Sequence, residues 1–149
     1  MNRIVRNAMK WILMLTVLAV GCKKQPSSYE VVHVASPNGS LEAVLTETNG
    51  GATTSFGYEV SVGTKGAKTL THVASLYGAV RNEQAYGVNL SWTGEQVLRV
   101  QYLRAKAVQT LSKSVTVGDQ QVEIELQSGV EDPAAPSGGM HYNQTKQSH

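Results

Sequence analysis

The side chains able to do chemistry are few and widely spaced in this 149-residue chain. Cys22 is its one thiol. A lone cysteine excludes an internal disulfide framework and any multi-cysteine zinc or iron–sulfur centre within one chain. The four histidines, His33, His72, His141 and His149, show no His-Glu-x-x-His spacing, so neither a metal nor a cofactor is read from the pattern. The most distinctive block is Thr48-Asn-Gly-Gly-Ala-Thr-Thr-Ser-Phe56. Adjacent glycines admit a tight turn, and the hydroxyls of Thr53, Thr54 and Ser55 can bond nearby backbone, so the first reading is a turn entering a strand. A second reading is a small hydrolase using the Thr53 to Ser55 region, with Ser55 or Thr54 as nucleophile, His72 as base and Glu59 as acid. No Gly-x-Ser-x-Gly elbow is present, and no spacing rule brings those residues together. A phosphate cradle is excluded, because a strand pattern follows the glycines and Lys65 is distant.

Paired carboxylates and aromatic side chains are also present. Glu123 and Glu125 share a strand face, whereas glycoside chemistry needs two acids converging across a cleft. Trp92, Tyr102, Tyr58 and Tyr77 could form an aromatic patch for a sugar or peptide. Trp92 and Tyr102 alternate in phase with Val88, Leu90, Leu98 and Val100, which assigns them to the core. Tyr77 is freer. Thr53, Thr54, Ser55 and Tyr77 are therefore the candidate interaction surface.

The formal charge of +2 hides an asymmetry, because Arg3, Arg6 and Lys10 lie in an N-terminal segment expected to be removed. Residues 22–149 carry 10 positive and 11 negative side chains, which leaves no basic footprint for nucleic acid. After Lys10 comes an uncharged run of ten residues, Trp11 to Val20. At about 1.5 Å per residue, a helix of that run reaches about half the hydrocarbon thickness and cannot span alone. A charged start, an apolar middle and a small residue at Gly21 together make an export signal over residues 1–21. Leu18-Ala19-Val20-Gly21-Cys22 resembles the lipobox of bacterial lipoprotein signal peptides, with Ala19 where leucine is usual. The resemblance implies diacylglyceryl transfer to the Cys22 thiol, cleavage before it and acylation of the new amino terminus. Two or three acyl chains, at about 0.8 kcal/mol per buried methylene, hold a small domain stably at a bilayer. Lys23 and Lys24 stand where inner-membrane retention usually needs aspartate, so the resemblance implies the periplasmic face of the outer membrane where two membranes exist.

Those chemical residues must be positioned by the body of the chain. Residues 22–28 read as a lipidated polar tether, 29–127 as a folded domain and 128–149 as a disordered, Pro- and Gly-containing tail. The body is predicted to be all-β, because apolar and polar residues alternate between turn signals. Leu41, Ala43 and Leu45 face one way, with Glu42, Val44 and Thr46 opposite. Phe56, Tyr58, Val60 and Val62 form a second inward set, and Leu70, His72, Ala74 and Leu76 a third. Val88, Leu90 and Trp92, then Leu98, Val100 and Tyr102, then Val122, Ile124 and Leu126 complete the pattern. Ser36-Pro-Asn-Gly39, Thr93 to Gln96 and Gly118-Asp119 supply turns. Tyr77 to Ala85 reads equally as a short helical turn or a loop, and Ala105 to Leu111 is ambiguous. Seven or eight strands are expected in an antiparallel meander, as a curled sheet or a two-sheet sandwich with at most one short helix.

Ser36, Pro37, Asn38 and Gly39, then Gly51, Ala52, Thr53 and Thr54, then Trp92 before a hairpin, resemble a family of small uncharacterised bacterial proteins, often lipoproteins. A cysteine often precedes the Gly-Ala-Thr-Thr block in that family, and Gly50 stands there in this sequence. The resemblance implies a domain over roughly Pro37 to Leu126 and carries no activity. The expected function is a lipid-anchored envelope protein acting as a non-catalytic accessory or interaction module, with the bilayer and an envelope protein or glycan as partners. An envelope sensor that binds glycan or peptide through an open strand edge or aromatic face is the alternative, beside the small hydrolase.

Overall fold

A computed structural model describes residues 26–82 and 84–132. The described chain is all-β. Its strands are β1 (Ser27–Ala35), β2 (Leu41–Asn49), β3 (Phe56–Thr64), β4 (Thr71–Tyr77), β5 (Arg81–Asn82), β6 (Ala85–Tyr86), β7 (Val88–Trp92), β8 (Val97–Tyr102), β9 (Ala107–Thr110), β10 (Ser114–Val117) and β11 (Gln120–Ser128). The ambiguous stretch after Tyr77 forms the small β5–β6 hairpin rather than a helical turn. No helix among the described residues is long and apolar enough to cross a membrane.

Two sheets share one core: a five-stranded sheet ordered β1-β2-β3-β4-β9 and a four-stranded sheet ordered β10-β11-β8-β7. Strands β1 to β4 form the expected antiparallel meander. The second sheet departs from it, because β11 runs parallel to β8 while pairing antiparallel with β10. After β8 the chain returns to the first sheet as β9, beside β4, before crossing back as β10. That excursion leaves one flank of β8 free for β11. Side-chain alternation says which residues of a strand face inward, but not the direction of its neighbour.

The inward positions match the sequence pattern closely. Leu41, Ala43 and Leu45 meet Tyr58, Val60 and Val62 within the first sheet, and Val88, Leu98, Val100, Val122 and Ile124 close over them from the second. Trp92 packs against this core, and its indole N–H donates to the Val34 carbonyl at 3.0 Å, joining the sheets. The Ser36–Gly39 turn closes with the Gly39 amide donating to the Ser36 carbonyl at 2.8 Å, and Gly39 takes a φ of 71°. The Asn38 amide in that turn donates to Glu95 Oε2 at 2.9 Å, tying it to the β7–β8 loop. Ordered chain also runs past the expected boundary at Gln127, where the Gly129 amide bonds the Leu103 carbonyl and the Asp132 amide bonds that of Gln84.

Val44 and His72 differ from the expectation, Val44 in being buried and His72 in the side of the sheet it faces. Val44, expected on the solvent side, is buried. It lies in the middle of the row His33, Val44, Ser61, His72 that crosses four strands. Glu47 continues the phase of Leu41, Ala43 and Leu45 and is buried with them. His72 is not in phase with Ala74 and Leu76, because the β3–β4 register shifts between Val60 and Ser61 and makes Val73 an extra, fully buried residue. One inserted residue reverses the faces of everything before it.

Candidate functional site

Two bulges determine what the outer face of the five-stranded sheet displays. His72 and Ser75 are an odd number of residues apart, so an unbroken strand would place them on opposite faces. The extra Val73 brings both outward. On β1 the register shifts between Glu30 and Val32, where Val31 turns into the core, and Glu30 and His33 come to lie on one face by the same device. His33 Nε2 then sits 3.0 Å from Glu30 Oε2. Cross-strand pairing arranges the face in rows, with Thr48, Gly57, Tyr77 and Ala107 in one and Thr46, Glu59, Ser75 and Gln109 in the next.

The structure brings His72 and Glu59 together, as the hydrolase reading required, but with a different hydroxyl. His72 Nε2 lies 3.2 Å from Glu59 Oε2, 3.0 Å from Ser75 Oγ and 3.0 Å from the Ala74 carbonyl oxygen. All three partners share one ring nitrogen. A serine–histidine–acid relay needs the hydroxyl on one nitrogen and the carboxylate on the other, so that the acid can orient the base that takes the hydroxyl proton. Here carboxylate and hydroxyl compete for the same atom, and no relay forms.

Ser55 belongs to a separate cluster. Lys106 Nζ donates to Ser55 Oγ at 2.7 Å, and the Ser55 amide donates to Tyr77 Oη at 2.9 Å. Hydrogen bonding from Ser55, its amide above all, lowers the ionisation of the Tyr77 phenol below the usual tyrosine range. Thr54 serves the turn, because its amide and hydroxyl both donate to the Gly51 carbonyl, at 3.1 and 3.0 Å, where Gly51 has a φ of 107°. Thr53 is exposed on that turn. Tyr77 is 43% exposed and stands directly opposite Gly57. Beside this pair is a depression of about 200 Å³, walled on the outer face by Thr48, Glu59, Ser75, Tyr77 and Gln109, with Gly57 as floor.

Two larger concavities, of about 600 and 470 Å³, follow the β10–β11 edge. Their lining has no aromatic side chain, and Arg99 is held there by Glu125 at 3.0 Å. No group of three or more acids, histidines or cysteines among the described residues is arranged to hold a metal. Cys22, His141 and His149 lie outside the described residues.

A further polar cluster was missed in the sequence, although the phase of Glu47 with the core signals it. Arg81 Nη1 donates to Glu47 Oε2 at 3.3 Å, and the guanidinium carbon lies 3.4 Å from the centre of the Phe56 ring. Tyr58 Oη is buried beside them without a hydrogen bond of good geometry. Burial first, and then the Glu47 carboxylate, push the ionisation of this phenol far above the usual range. Gly87, with a φ of 103°, lets the ring end approach, since a Cβ there would lie 2.5 Å from Tyr58 Oη.

No family model, curated protein or solved structure matches this chain.

Proposed function

We propose that this protein is a lipid-tethered, non-catalytic interaction module of the bacterial cell envelope that meets its partner through the outer face of its five-stranded sheet. The tether is read from the lipobox-like run ending at Cys22, and Lys23 and Lys24 favour the outer membrane's periplasmic face in an organism with two membranes. One observation carries the choice of a binding face over an enzyme: the Glu59 carboxylate and the Ser75 hydroxyl meet the same nitrogen of His72, beside an exposed tyrosine. At His72 the face has contact chemistry without a serine–histidine–acid relay. Thr53 and Thr54 lie at its rim on the β2–β3 turn, and Ser55 joins it through Tyr77.

The test is photocrosslinking in the native host, with a photoreactive phenylalanine analogue in place of Gln109 on this face or of Thr116 on the outer face of the second sheet. A discrete adduct from position 109 and none from 116 is expected. Absence of adducts at 109, or the same adducts at both positions, would contradict the assignment.

A further inference from the structure

The depression beside Tyr77 has a lining that narrows its ligand to one chemical class. Strands β3 and β4 both lie inside the sheet, flanked by β2 and β9, so their amides and carbonyls are engaged by the ladder. A peptide adding a strand to this sheet would pair with the edge strand β9, beside the depression and not over its Gly57 floor. Recognition must come from side chains. Those available are one exposed aromatic ring and a set of short hydroxyls and amides: Tyr77, Thr48, Ser75 and Gln109.

The charged groups nearby already have partners. Glu59 faces His72 at 3.2 Å, and Lys106 is spent on Ser55 at 2.7 Å. A strongly charged ligand would have to displace one of these pairs, whereas a neutral one need not. The ring of Tyr77 is anchored at its tip by the Ser55 amide, which reduces the entropy lost when a flat ligand packs on it. Gly57 has no side chain to fill the floor, and the space of about 200 Å³ suits one ring rather than an extended chain. We infer that this depression binds a single neutral sugar ring, its C–H face against Tyr77 and its hydroxyls on Thr48, Ser75, Glu59 and Gln109. The inference rests on the binding-face reading above and names its ligand class.

Saturation-transfer NMR on the full chain in detergent micelles tests it, with chitotriose, maltotriose and trialanine as probes. Saturation of ring C–H protons of at least one sugar is expected, half-saturating near about 1 mM, with none on trialanine. Tyr77→Ala, at an exposed position, should weaken binding about tenfold or more. Gly57→Ala should do the same by filling the floor. Its new methyl meets only the Thr48 side chain, whose hydroxyl at 2.5 Å must shift to admit it. Thr116→Ala on the other sheet should leave binding unchanged. Saturation of neither sugar, saturation of trialanine alone, or sugar binding that survives Tyr77→Ala would overturn the sugar site. Crosslinks from position 109 that persist after such a result would leave the binding-face reading standing; their absence would remove both.

Discussion

Glu47 shows what a carboxylate requires when strand phase carries it into a core. Its side chain is 4% exposed, that of Arg81 is 17% exposed, and the pair is joined by one contact at 3.3 Å. Removing either partner leaves a buried charge uncompensated, which costs about 3–5 kcal/mol, whereas replacing both with apolar groups removes the demand. Arg81→Leu and Glu47→Leu should each be strongly destabilised in urea unfolding, and the double variant less than the two losses summed. Tyr58 supplies an opposite prediction. Its hydroxyl is buried without a good partner, so Tyr58→Phe should raise stability by about 1 kcal/mol. Because the folded-state ionisation of Tyr58 is raised, its contribution is intact below about pH 10, where an unfolded tyrosine ionises, and is lost as pH climbs beyond that. The alkaline loss of stability should therefore be shallower in Tyr58→Phe than in the natural chain. Glu47 is legible as an inward residue from its spacing after Leu45. Arg81 and Phe56 as its neighbours are not, because their contact depends on how the β5–β6 hairpin folds back.

Among the elements, regular alternation made β2, β3, β7, β8 and β11 readable, and irregularity concealed what the outer face does. Val31 and Val73 are ordinary strand residues by type, yet each is an inserted residue that turns a histidine outward. Nothing in a valine's chemistry marks a bulge, so His72 reads as inward until the register is known. The same bulge assembles Glu59, His72 and Ser75, so that Ser75 and not Ser55 is the hydroxyl beside His72. The parallel β8–β11 pair was equally hidden, since it follows from the excursion of β9. Glycine turns give a graded test at this scale. Gly39 has a φ of 71° with open space around its Cβ direction, so Gly39→Ala should cost only the left-handed backbone penalty, about 1–2 kcal/mol. Gly87 adds a collision with the Tyr58 ring, and Gly87→Ala should cost about 3 kcal/mol or more by thermal unfolding. Equal losses at the two glycines would mean that the ring of Tyr58 does not press on Gly87.

Across the whole molecule, the two sheets leave one polar flank ruled by Arg99–Glu125 and Gln101–Gln127 pairs, and one flank with an exposed tyrosine and a depression. Residues 22–149 carry almost no net charge, so electrostatic attraction to anionic lipid would not keep the domain at a bilayer. The proposed acyl chains on Cys22 would. The most direct measurement is membrane fractionation from the native host, comparing the natural chain with Cys22→Ser, together with the intact mass of the membrane form. The natural chain should sediment with membranes, with a mass showing the signal removed and acyl chains on Cys22, while Cys22→Ser should shift to the soluble fraction or stay uncleaved. Identical partitioning of the two, with an unmodified thiol in the natural chain, would contradict the account.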